Sequence, residues 1–69
     1  MTEQEIQAEI HELRKMQAAA DEEVRRAYWA YKANPISATL AAALDNAYHR
    51  QKGIVIRIEH LMQQQEGGA

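Results

Sequence analysis

The stretch Ala30-Tyr31-Lys32-Ala33-Asn34-Pro35-Ile36-Ser37-Ala38-Thr39-Leu40 decides the fold. Pro35 is the chain's single proline, and it sits between two long runs of good helix formers. A proline disfavours the α region for the residue before it, so a helix arriving from Tyr31 and Lys32 must end at Asn34. Asn at that position suits a left-handed cap. Ser37 then serves as an N-cap for a second helix, with Pro35 at a first helical position as the competing start. A connection this short makes the two helices antiparallel neighbours.

Working outward, the first helix carries apolar or small residues at Ile6, Ile10, Leu13, Ala20, Val24, Ala27 and Tyr31. With Gln17 included, the steps alternate four and three, the seam of a helix packed lengthwise on another. The second helix repeats this at Leu40, Leu44, Ala47, Gln51, Ile54, Ile58, Leu61 and Gln65. Reflected about the turn, the stripes register. Tyr31 faces Leu40, Ala27 faces Leu44, Val24 faces Ala47, Leu13 faces Ile58 and Ile10 faces Leu61. Two stripes that match across one short loop define an all-α, coiled-coil-like antiparallel two-helix hairpin.

The ends agree. Thr2-Glu3-Gln4-Glu5 reads as a capping box, with the Thr2 hydroxyl on the Glu5 amide and the Glu5 carboxylate reaching back to the Thr2 amide. Glu3, Glu5, Glu9 and Glu12 come early and Arg25, Arg26 and Lys32 late, as the macrodipole prefers. The expected organisation is one domain over 1–69. Helix 1 covers 3–33, the turn 34–36 and helix 2 37–65, with a frayed tail over 66–69. One segment objects: Gly53-Ile54-Val55-Ile56-Arg57-Ile58 is β-branched enough to pass for a strand. The helical phase runs through it unbroken and no second strand is available, so helix is expected. Gly53 costs that helix about 1 kcal/mol relative to Ala, and marks a close crossing or a mild kink.

A chain of 69 residues without cysteine has no disulfide framework, Cys-based zinc site or thiol nucleophile. One stripe per helix, with several seam positions taken by Ala or Gln, gives a core too thin to stand alone. The missing burial is available beside the seam. Ala41, Tyr48, Val55 and Met62 widen the stripe of helix 2 along one flank. Trp29 and Ile56 lie on the nominal solvent side, and Tyr28, Tyr31, Leu40 and Leu44 gather near the turn. These residues (Tyr28, Trp29, Tyr31, Leu40, Leu44, Tyr48, Val55, Ile56 and Met62) form the candidate interface. Two hairpins closing into a four-helix bundle is the simplest solution. Gln17 and Gln51 occupy seam positions in adjacent layers and are read as polar residues that set register, a role preferred to a ligand belt.

No enzyme is expected. The Arg, Lys and Glu side chains sit mainly on outward positions and converge on no site. His11, His49 and His60 lack the three- or four-residue spacing with which one helix chelates a metal, so neither metal nor cofactor is expected. No stretch is long and apolar enough for a membrane span; Ala38–Leu44 is the nearest. The acidic start lacks a signal peptide's basic region, so a cytoplasmic location is expected. The leading function is a small accessory protein for protein–protein interaction, binding itself first and a larger protein second. It would act as adaptor, assembly subunit or inhibitor, with no small-molecule substrate. The alternative is a nucleic-acid-associated regulator using Arg25, Arg26, Trp29 and Lys32, with His49, Arg50 and Lys52 opposite. A net charge of −2 gives that alternative no global attraction.

Overall fold

The computed structural model describes residues 2–67. Two helices, α1 over Glu3–Ala33 and α2 over Ala38–Gly67, pack against each other as a hairpin measuring 51 × 16 × 12 Å.

At the start of α1, the Thr2 hydroxyl oxygen accepts from the Glu5 amide at 3.2 Å and its proton goes to Glu5 Oε1, also at 3.2 Å. The carboxylate thus answers the hydroxyl where the sequence suggested the Thr2 amide. The other half of the cap is as expected. At the far end, the Asn34 amide donates to Ala30 and Tyr31 carbonyls at 3.2 and 3.1 Å. Asn34 has φ −145° and ψ 73°, and no residue among those described, glycine included, has a positive φ. The left-handed cap is therefore corrected to one with negative φ and intermediate ψ, outside the α region. Pro35 explains it, since its ring disfavours the α region for the preceding residue.

The Ser37 amide donates to the Asn34 carbonyl at 3.2 Å, closing a tight turn with Pro35 in its first central position. Of the two candidate starts for α2, Ser37 is the one used. Its hydroxyl accepts from the Leu40 amide at 3.2 Å, and its carbonyl accepts from the Ala41 amide at 3.1 Å. α2 runs unbroken through Gly53–Ile58 and on to Gly67, past residue 65 and into the stretch read as a tail. Gly68 and Ala69 lie outside the described residues. A Cβ built on Gly53 would meet nothing within 4 Å. The glycine therefore marks no close crossing; it leaves helix propensity unclaimed on an exposed face.

Every residue of the two stripes is buried or half-buried. The burial is uneven along the length. Ile6, Ile10, Ile58 and Leu61 form one buried cluster at the open end, with Leu13 and Ile54 packed against it. Leu61 is fully enclosed. Each such aliphatic side chain contributes about 1.5–3 kcal/mol when taken from water. In the middle the buried residues are Ala20 and Ala47. Toward the turn, Val24, Ala27, Tyr31, Leu40 and Leu44 are only half-buried. The core is dense at the open end and thins toward the turn.

Candidate interaction surface

A seam between two antiparallel helices has two flanks, and here they differ in chemistry. One flank consists of residues just before seam positions: Glu9, Met16, Glu23 and Ala30 on α1, with Ala43, Arg50, Arg57 and Gln64 on α2. Arg57 Nη2 donates to Glu9 Oε1 at 2.9 Å across the helices. Arg50 donates to Glu23 in the same way. These ion pairs straddle this side of the seam.

The opposite flank consists of residues just after seam positions: Gln7, Arg14, Asp21 and Tyr28 on α1, with Ala41, Tyr48, Val55 and Met62 on α2. No ion pair bridges the helices here among the described residues. Val55 is half-buried, whereas Tyr28, Tyr48 and Met62 are exposed. A shallow cleft opens at each end. One involves Gln7, Ile10, Arg14 and Met62, the other Tyr31, Ala41, Leu44 and Tyr48. The seam is reached from this side through these two clefts.

The nine residues of the candidate interface therefore separate into three groups. Tyr28, Tyr48, Val55 and Met62 share the open flank. Tyr31, Leu40 and Leu44 belong to the seam and are half-buried. Trp29, 61% exposed, and Ile56, 47% exposed, occupy the outer face of their own helices, two positions beyond the seam. The Trp29 ring meets Tyr28 edge-on, with centroids 5.4 Å apart and planes at 73°. Tyr28 also has Lys32 Nζ 5.8 Å from its centroid. Trp29 and Lys32 thus restrain Tyr28 from the outside, a contribution of about 0.5–1.5 kcal/mol for the aromatic pair.

Gln17 and Gln51 are both half-buried. The Gln51 amide donates to Asp21 Oδ1 at 2.7 Å, linking the helices at mid-length. Asp21 was not singled out from sequence. Its position, one residue beyond the Ala20 seam site and level with Gln51, was the available signal. Ile36 was also missed: it stands 93% exposed at the tip of the turn. An aliphatic residue in the second central position of a tight turn points away from both helices, and that placement could have found it. Met16 is half-exposed on the charged flank.

The basic cluster is largely engaged by carboxylates. Arg25 and Arg26 both reach Glu22, at 3.0 and 3.5 Å. His49 Nε2 lies 3.5 Å from Asp45 Oδ2, and Arg50 is held by Glu23. Among the described residues no three His, Asp or Glu side chains converge as metal ligands would, and no helix is long and apolar enough to cross a membrane.

Total exposed area provides a measure of what is uncovered. A compact monomer of this size exposes about 4,400 Å². This chain exposes 5221 Å². The surplus of roughly 800 Å² goes with the elongated 51 × 16 × 12 Å shape, and is of the size one partner contributes to a standard protein interface.

No protein-family model, curated protein or solved structure matches this chain.

Proposed function

We propose that this protein is a non-enzymatic protein–protein interaction module whose first partner is itself, two hairpins joining through their open flanks into a four-helix bundle. The observation that carries this reading is the uncovered flank: Tyr28, Tyr48, Val55 and Met62 lie beside an open seam, on a chain with surface to spare. A second hairpin covers that flank with groups of the same kind and gives each helix two neighbours. The ion-paired flank, the tip at Ile36 and the outer faces with Trp29 and Ile56 would stay accessible. They are where a larger protein would engage an adaptor or assembly subunit of this type. Nucleic acid is the weaker reading, because Glu22 and Glu23 already take up Arg25, Arg26 and Arg50.

Sedimentation equilibrium with thermal unfolding tests this. The expected result is a dimer at low micromolar concentration and a melting temperature that rises with concentration, as mass action requires. A monomer throughout, with a midpoint indifferent to dilution, rules the reading out.

A further inference from the structure

We infer that the second copy docks antiparallel, turn end against open end, with Arg14 of each hairpin set against Asp21 of the other. This rests on self-association through the open flank and specifies its geometry. The seam register places the flank residues in four levels: Gln7 with Met62, Arg14 with Val55, Asp21 with Tyr48, and Tyr28 with Ala41. Successive levels are seven residues apart, about 10.5 Å. Arg14 and Asp21 occupy the two central levels and are the flank's two charged groups. Neither has an ion-pair partner among the described residues. Asp21 accepts from Gln51 through Oδ1.

Two hairpins can close face to face about a two-fold axis in two ways. With turns together, each level meets itself on the facing helix. Arg14 is then covered by Val55 of the partner copy and Asp21 by Tyr48 of the partner copy, leaving two opposite charges desolvated without a counter-charge. With turns apart, the order of levels is inverted. Arg14 then meets Asp21 of the partner copy, and the symmetry makes this pair twice. Val55 meets Tyr48, also twice. Met62, long and flexible, meets Ala41, whose small side chain helps line the cleft with Tyr31, Leu44 and Tyr48. Gln7 meets Tyr28. Every level finds a complement in one closure, and the two charged levels find none in the other. The rim points the other way, since turns together would bring Arg25 level with Asp45 of the partner copy, whereas turns apart would set Asp45 near Glu59 of the partner copy. Rim charges are hydrated and screened, so the central levels decide.

Two measurements test the inference. Arg14→Glu and Asp21→Arg should each weaken self-association at least about tenfold, by setting like charges together twice. An equimolar mixture of the two variants should recover wild-type affinity, because each exchanged charge then meets its opposite on the partner copy. Circular dichroism of each variant checks that the helices are kept. A mixture no tighter than either variant alone overturns the pairing. The chain has no cysteine, so Ile36→Cys gives a unique nitroxide site at the tip. A tip-to-tip distance near the 51 Å length of the hairpin is expected by electron–electron resonance. A distance under about 25 Å, a few helix diameters, means turns together and overturns the orientation while leaving self-association intact. A monomeric wild type in sedimentation overturns both readings at once.

Discussion

The two flanks of this hairpin share a seam and a length but do different work. On one, Glu9 with Arg57 and Glu23 with Arg50 bridge the helices with exposed ion pairs, which suit a surface that stays in water. On the other, Tyr28, Tyr48, Val55 and Met62 stand beside an open seam, with Arg14 and Asp21 available between them. Charged residues on both sides of a seam make a self-sufficient hairpin surface. Ion pairs span the helices on one side alone, and the other side is the one proposed as the joining face. On the proposed reading, association is directed to the flank that no cross-helix ion pair spans.

That contrast can be broken or sharpened by substitution. The largest effect belongs to the seam that both flanks share. Leu61→Ala removes the one large side chain that is fully buried among the described residues and should destabilise the fold by about 2–5 kcal/mol in urea unfolding at fixed concentration. A loss under about 1 kcal/mol would show that the open-end cluster is not what holds the helices together. Next comes Tyr48→Glu, which puts a charge on the proposed joining face. Its dissociation constant should rise about a hundredfold with helix content kept at high concentration. Unchanged association would remove that flank from consideration. The smallest effect is expected on the closed flank, where Arg50→Ala should cost at most about 1 kcal/mol of stability. Its dissociation constant should stay at the wild-type value. If Arg50→Ala dissociated the protein and Tyr48→Glu did not, the roles of the flanks would be reversed.

Much of the fold was legible in the residues because the signals were local or periodic. The proline, the cap at Ser37 and two matching stripes define a hairpin without reference to any contact. The strand-like run Gly53–Ile58 was resolved the same way, since a long helical period outweighs short-range β preference. The interaction surface was less legible. The sequence groups Trp29 and Ile56, on the nominal solvent side, with Tyr48 and Met62 in one candidate interface, yet the first two stay exposed on the outer faces of separate helices. The heptad pattern separates positions two residues beyond the seam from positions one residue beyond it, but apolar character alone joins them into one surface. On a helix that single step is about 100° of rotation. Asp21 and Ile36 were overlooked for a related reason. One matters through a bond to a residue 30 positions away, the other through the direction in which a turn points it.

The sequence by itself determined that the chain makes two helices, where they turn, and which stripe each turns inward. Those features follow from backbone preferences and from the spacing of apolar side chains along one dimension. Tertiary structure decided which flank is closed and which is left open. It also decided that Gln51 pairs with Asp21 and that Gly53 meets nothing. These depend on which side chains from two distant segments arrive at the same level on the same side of the seam, and that is a property of packing.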